Sequence, residues 1–600
     1  MELIKSQKKF IKNNYKRMLP SQIALHLGIR VNKVEEYLKK ENYKDGKNTS
    51  AKEKDGFASK ININLKTFIL LNWKQLLLLI ILTFIVYSNA LTNDFISDDI
   101  LAIKENPNIN NIKYFFSFPS FNVPAFISFM IYKTFGLNLA LYHLPNIIFH
   151  FGSAIIIYFI LVNFFFDPII SLFAASLFIV HPIQTEAVSW ISGAPYSSSG
   201  FLILISFASY CFSKKNKYYY ISIISYILAL MTLEKLVLYP VILLLYELFF
   251  GDIKVNFKRV IPFFIFSGIW LFRLSGLAET RLSVLNVDYY GTRHYDNPLI
   301  KIPVSIVSYI LLIIWPKNLT LYHSEITLGI NENFVKFFIF ILLFFLLIYF
   351  LIKEKKLFFW VVFFIIPLSP TFTPLPIAWI VAERYVYLSA LGIYIIIAYY
   401  LRLVGEKIHK QSIAWLLFAL IISMLSVRTY IRNRDWRNEE TFWYATSKIS
   451  PDDPKTYNNM GVLYYKRGDY KNAIKEFEKA IKMKPNYGDA YNSLGNTYFF
   501  LMGDTDKAIQ SYEKALLVKE NFWQPLANLA EVYYYLQQYP LAFEYIDLAI
   551  QINSVNDQLY FKKGIFYSKL DKKKEAKEAF VKALEINPNN QEAKKFLIIK

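Results

Sequence analysis

Cysteine is almost absent: Cys211 is the only one in 600 residues. No intrachain disulfide and no cysteine-based zinc site can form. Because Cys211 lies in an apolar run, the redox compartment is left open. Acidic residues are also scarce, with 46 Asp and Glu against 67 Lys and Arg, a net charge of +21. The deficit is strongest at the start, where residues 1–75 hold 17 basic and 7 acidic side chains. Such a segment suits anionic lipid or nucleic acid. Placed before the first long apolar run, it reads more simply as an orientation signal that holds the N-terminus in the cytosol, so nucleic acid is not an expected partner. No secretory leader stands at the very start. The run around Trp73–Leu91 is too long and too deep in the chain for a cleaved leader and reads as a signal anchor.

Apolar surface, in contrast, is abundant: 54% of residues are hydrophobic and 18% aromatic, more than a soluble domain can hide. They gather between Leu70 and Tyr430 in runs of about 15 to 20 residues, close to a bilayer-spanning length. Candidate segments lie near 74–91, 139–163, 168–182, 198–213, 218–232, 236–250, 259–274, 301–316, 335–352, 357–369, 386–403 and 412–430. Lys214–Lys217, Lys353–Lys356 and Arg402–Lys410 read as cytosolic loops. They cannot all be so if every segment crosses, and one segment between 218 and 316 is expected to be re-entrant or interfacial. The weakest is 301–316, which ends at Trp315-Pro316. Eleven crossings put the C-terminus outside.

The expected organisation is all-α. Residues 1–41 form a small helical head, 42–73 a basic linker, 74–430 a polytopic body of about eleven to twelve spans, 431–453 a connecting helix, and 454–600 a soluble solenoid. In the head, Pro20 to Val34 resembles a helix-turn-helix, with Ile23, Ala24 and Leu27 facing Val34 across Gly28. One such pattern on a membrane-tethered chain reads as a helical appendage rather than a DNA reader. From Pro454, Tyr457, Gly461, Tyr464, Ala473, Phe477, Ala480 and Pro485 fit the tetratricopeptide template. Copies follow from near Gly488, with one inserted residue, from Trp523, with a looser match, and from Asp557, about four in all. Repeat arrays of this kind bind protein, and amides on the inner helices, such as Asn458, Asn492 and Asn496, suit an extended chain.

Polar residues beside membrane spans are costly unless they have a function or a partner. Four clusters fall on one face of the expected topology. Asp98 and Asp99 follow the first span; they fit either a base with its positioning group or a helix-capping pair. His181 and Glu186 share a short segment after the third, where a lone His would be structural. Glu234 and Lys235 lie between two spans and fit a self-neutralising interfacial pair. Glu383 and Arg384 open another span; Arg384 suits a phosphate, or a structural ion pair with a carboxylate. Carboxylates beside cations suit attack by a hydroxyl and departure of a phosphate.

At these residues the chain resembles the transmembrane and tetratricopeptide-repeat O-mannosyltransferases, and more widely the lipid-phosphate-sugar glycosyltransferases of the GT-C fold. The matching pieces run in order from about residue 74 to the end. They are Asn93–Asp99 with Ala102-Ile103 and Asn106-Pro107, Tyr142–Asn146 with His150, His181–Trp190, Glu234 leading to Pro240, Ala382–Leu388, and the repeats. The resemblance implies a multi-pass enzyme in a cell membrane, with the repeats outside the cytosol. It moves a sugar, typically mannose, from a polyprenyl-phosphate donor to a hydroxyl with inversion. The base carries onto Asp98 or Asp99, with Asp98 preferred. His181, Glu186, Glu234, Lys235, Glu383 and Arg384 fall near the donor phosphate or the acceptor. The repeats would present acceptor protein. No tightly bound cofactor and no metal-ligand set is implied, and the divalent-metal requirement is open. Transfer to a lipid or envelope glycan, and a non-catalytic membrane scaffold, are the competing readings.

The chain departs from the family pattern twice. Trp190-Ile191-Ser192-Gly193 is followed by Ala194 where an Arg is usual, and the usual Lys-Glu pair becomes Leu233-Glu234, with Lys235 displaced. Lys235 and Arg281 are the candidates to replace these cations. The basic head and the Lys, Ile and Asn bias suggest a prokaryotic chain.

Overall fold

The computed structural model of the chain describes residues 3, 5–15, 31–41, 65–106, 108–113, 122–165, 168–212, 216–285, 297–323, 326, 331–372, 379–587 and 590–598. Among the described residues the regular structure is helical throughout. Most of the helix-turn-helix-like stretch and residues 42–64 of the expected 42–73 linker fall outside them, as does the side chain of Arg281; residues 65–73 of that linker are instead the first turns of the helix Leu65–Tyr87.

The apolar runs become helices of unequal length. Among the described residues six are long and apolar enough to cross a bilayer: Phe68–Thr92, Leu139–Asn163, Ile191–Cys211, Ile253–Gly276, Phe334–Lys353 and Gln411–Asp435. A seventh, Pro168–Val180 with Pro182–Val188, bends by 52° between its halves. Pro182 explains the bend, since it cannot donate to the ladder and excludes helical backbone at the residue before it. The other expected segments are shorter or more polar, as in Lys355–Ile365 and Tyr239–Phe249. The count therefore falls below the expected eleven or twelve when judged by length and composition alone. A further short apolar helix, Val123–Phe135, was not among the expected segments.

Burial shows what these helices face. Pro168–Val180 is apolar on every side and is buried from Ile170 through Val180, as a helix without a polar face must be. Leu65–Tyr87, Leu139–Ile160, Ala390–Lys407 and Gln411–Asp435 surround it. Phe173 stacks on Phe418 with ring centroids 3.8 Å apart. At the other extreme, Phe334–Lys353 has a mean hydropathy of 2.9, yet only 6% of its apolar window is buried. Phe334, Phe338, Phe345 and Ile352 stand exposed. A surface of this kind needs lipid around it, so the body is a multi-pass membrane protein.

The last long helix runs on to Asp435, and Glu439–Ile449 turns away from it behind an Asn438–Thr441 capping box. Four helix pairs follow: Pro454–Lys466 with Tyr470–Met483, Gly488–Asn496 with Thr505–Val518, Trp523–Tyr535 with Tyr539–Ile552, and Asp557–Lys569 with Lys573–Ile586. Gln591–Ile598 covers the last. In three pairs a glycine lets an aromatic ring lie on the partner helix. A Cβ at Gly461, Gly495 or Gly564 would come within about 2.6 Å of the ring of Phe477, Tyr512 or Phe580. The looser third pair solves the same contact with Ala530 against Ile546, both fully buried. The inserted residue of the second repeat appears as a π-helical turn over Thr497–Met502, which absorbs one extra residue without moving the groove side.

Candidate functional site

The first loop is folded back and locked. Asp94 N donates to Arg437 O (2.8 Å), and the Asn93 amide reaches Asn433 O (3.3 Å). His143 Nε2 lies 3.0 Å from Asn93 O. Ser97 takes the left-handed backbone conformation, φ +50°, which costs a residue with a side chain and turns the chain sharply before Asp98. The two carboxylates then separate. Asp98 is exposed, while Asp99 is fully buried. Asp99 accepts hydrogen bonds from Ser192 N (2.8 Å), from the Ser192 hydroxyl and from Ile96 N (3.3 Å). Burial still pushes its acid up to about 7, against those donors. Asp99 thus ties the loop to the Trp190–Gly193 turn, and Asp98 is left to face the site.

That turn is itself tightly built. A Cβ at Gly193 would stand 2.2 Å from the Glu186 carbonyl oxygen, so no larger residue fits without moving backbone. Asn433 joins several elements at once. It accepts from Ser189 Oγ (2.7 Å), and its amide donates to Val86 O (2.7 Å) and to Asn89 Oδ1 (3.0 Å). Neither Asn433 nor Ser192 was singled out in the sequence. A lone Asn in an Arg-rich helix end carries no motif, and its role depends on three distant partners.

Glu186 and Arg384 form the centre. The fully buried Glu186 pairs with the Arg384 guanidinium through one oxygen and accepts Arg384 N (2.7 Å) through the other. The guanidinium also lies 5.2 Å from the Tyr385 ring centroid and 5.9 Å from that of Trp190. Lys235 places its ammonium 3.1 Å from the Tyr385 centroid and 5.9 Å from that of Tyr196. Burial and the Arg384 charge push this ammonium well down, while Glu234 and Glu186 pull it up. Lys235, Arg384, Tyr196, Tyr385 and Ser199 line a tight recess of about 20 Å³, room for one water molecule. Although Asp98 reaches the surface, the protein packed around it strips part of its water and raises it, opposed by Arg384, the Ser97 hydroxyl and Lys455. Of the residues expected to converge, Glu186 and Arg384 are paired and Arg384 and Lys235 line one recess, while Asp98 is outside its lining.

Two expected residues turn elsewhere. Both His181 ring nitrogens are used: Nδ1 accepts Ile183 N (3.2 Å), so Nε2 is the donor to Ile313 O (2.7 Å). His181 caps the bend and is fully engaged there. Glu383 points away from Arg384, as sequence neighbours on a helical turn must. It meets Arg432 at 3.5 Å and His323 at 3.8 Å in a separate buried group. Burial pushes Glu383 up to about 8 despite Arg432. These contacts tie Glu383 to the last span and leave the recess to Arg384 and Lys235. Among the described residues no group of three or more His, Cys, Asp and Glu side chains is placed to hold a metal.

On the repeats, Asn492 and Asn496 each accept from the Asn528 amide, at 3.0 and 2.9 Å. Asn528 was missed because the third repeat matches its template loosely. Buried Asn458 has no hydrogen-bond donor on its Oδ1 among the described residues. A second hollow of about 430 Å³ opens between the first loop and the first repeat, bordered by Asp94, Ile100, Lys104, Glu440, Leu463 and Arg467.

Fold and site together define a polytopic helical membrane protein with a buried ion-paired cluster beside an exposed carboxylate, and a repeat array docked on the same face. Family models described as TPR repeat and tetratricopeptide repeat match residues 463–501, and residues 488–522 and 557–590. Along most of its length the chain is similar to protein O-mannosyl-transferases. It is 26% identical to human TMTC3 over 87% of this chain and 65% of that protein. It is 25% identical to F38B6.6 of Caenorhabditis elegans over 69% and 63%. The chain thus spans just under two thirds of these relatives. Among solved structures, MamA aligns at 23% identity over 24% of this chain and 85% of that one, with a TM-score of 0.22. The resemblance to the transmembrane and tetratricopeptide-repeat O-mannosyltransferases is therefore carried by the body and the repeats together.

Proposed function

We propose that the chain transfers a sugar, mannose first among them, from a polyprenyl-phosphate donor to protein hydroxyls on the extracytoplasmic side of the membrane. The observation that supports this reading is a recess lined by Arg384, which Glu186 holds, and by Lys235, with the turn that anchors the Asp98 loop formed by the segment that follows Glu186. Asp98 takes the hydroxyl proton as the acceptor oxygen attacks the anomeric carbon, and the carbon–phosphate-oxygen bond breaks with inversion. Arg384 and Lys235 neutralise the departing polyprenyl phosphate. Glu186 fixes the guanidinium so that it needs no reordering as charge develops. An arriving phosphate also restores the Lys235 charge that burial disfavours. Acceptor protein enters along the hollow between the first loop and the first repeat, and the repeat amides hold it as an extended chain.

The test is to incubate membranes carrying the full chain with polyprenyl-phosphate [³H]mannose. Label is expected in protein, with little in lipid. Label confined to lipid or glycan would replace the acceptor, and no incorporation would leave a scaffold. Orientation has its own test. Reporter fusions after Lys410 and after Pro454 are expected to report opposite sides of the membrane, and two cytosolic signals would put the site on the wrong face.

A further inference from the structure

The recess is too small for the group it would receive. Its room for one water molecule cannot hold a phosphate, whose four oxygens are each about that size. Most of its wall is fixed. Arg384 is held by Glu186 through both its side chain and its backbone. The Tyr387 hydroxyl lies 3.0 Å from His150 Nδ1, and its ring packs so closely on the helix Ala194–Cys211 that a Cβ at Gly200 would stand 2.7 Å from it. The backbone of the Lys235 turn is tied down as well: Leu236 N donates to Leu233 O (3.2 Å), and Ser267 Oγ donates to Val237 O (2.8 Å). The Lys235 side chain is the exception. Among the described residues its ammonium has no hydrogen bond and no ion pair; it rests on the Tyr385 ring, 3.1 Å from the centroid, with the Tyr196 centroid 5.9 Å away. A flexible side chain held by ring faces alone can swing aside without moving backbone.

We propose, on the basis of the transferase reading, that Tyr385 is a positioning residue of the donor site: its ring face holds Lys235 in the recess, and the donor phosphate must draw the ammonium off that face to enter. The ring offers a cation only the negative face of its π-system, a weak partner. A phosphate offers full charge and oxygen acceptors. Exchange of one for the other opens the recess and places the cation on the leaving group in a single movement of Lys235. The same ring centroid lies 5.2 Å from the Arg384 guanidinium, so the ring partners both cations that the phosphate would take over. Lys235 is the one that can leave, since Arg384 keeps Glu186.

Phenylalanines carrying one, two and three ring fluorines at position 385 test this in the full-length chain. Fluorine withdraws electrons from the ring face and weakens its hold on a cation, while the shape of the side chain and the fold are kept. Affinity for polyprenyl phosphate is expected to rise step by step along the series, by about 2- to 30-fold in all, the range a cation–π contact spans. Tyr385→Phe, which keeps the ring face, starts the series and is expected to bind as the parent does. In transfer from polyprenyl-phosphate [³H]mannose the donor KM should fall with kcat little changed, since the ring contact is lost in the ground and transition states alike. With Lys235→Met in the same chain the series should be flat; a rise that persists there does not pass through Lys235 and overturns the proposal. A flat or falling series in a chain that keeps Lys235 and binds polyprenyl phosphate overturns the proposal alone. A parent that does not bind polyprenyl phosphate overturns the donor reading and this proposal with it.

Discussion

Asp98→Asn is expected to slow sugar transfer by about 100- to 10,000-fold, the usual cost of losing a general base, without loss of membrane insertion or donor binding. The amide keeps the size and shape of the side chain and removes only its basicity. Asp98 is exposed at the site and is not one of the groups that hold the loop together, so the fold loses little. Asp99→Asn should behave differently. Its carboxylate takes three donors, and an amide must turn an N–H toward at least one of them, which loosens the loop and lowers thermal stability along with rate. The pH dependence follows from partial desolvation of Asp98 by the protein around it. Asp98 is raised from the ordinary carboxylate range, and a base works only when ionised. Transfer should therefore fall, as pH falls, at a higher pH than for an unperturbed aspartate. Rate, donor affinity and melting temperature of both variants against the parent make the check. Near-parent rates for both would reduce the pair to structural caps and leave the mechanism without a base.

How much of this was legible in the sequence depends on the range of the interactions. The repeats were readable because each contact recurs at a fixed spacing: Gly461 under Phe477, Gly495 under Tyr512 and Gly564 under Phe580. Even the inserted residue of the second copy is visible as a π-turn. The meeting of Glu186, Lys235 and Arg384 followed from topology and residue type, since charged groups at span ends seek one another. What escaped was direction. Nothing local tells that Glu383 turns to Arg432 while Arg384 turns to Glu186, or that His181 spends both nitrogens on backbone. Asn433 comes from an element far along the chain from its partners Val86, Asn89 and Ser189, so no local pattern announces it. Hydropathy alone also does not separate burial in protein from burial in lipid: Pro168–Val180 and much of Lys355–Ile365 are apolar and buried against other helices.

Glu186→Ala is expected to be the most destabilising single change in the site. It leaves the Arg384 guanidinium, with a side-chain exposure of only 15%, without its counter-charge and removes the acceptor of Arg384 N. Breaking one partner out of a buried pair costs about 3–5 kcal/mol. The Arg467–Glu440 pair on the repeats is the control, since both side chains are about half exposed and such pairs contribute roughly 0–1 kcal/mol. Arg384→Ala should cost less stability than Glu186→Ala, because the backbone N–H at 384 still donates to Glu186 and a lone carboxyl can take up a proton. For the donor, either change should weaken binding. Arg384→Ala removes the phosphate partner itself, and Glu186→Ala releases the guanidinium from its fixed pose. The measurement is melting temperature in detergent and affinity for polyprenyl phosphate, for Glu186→Ala, Arg384→Ala and Glu440→Ala against the parent. If Glu186→Ala melts with the parent and binds polyprenyl phosphate as tightly, the pair is neither a structural clamp nor a phosphate site. The recess would then have to be read as a packing defect rather than a donor pocket.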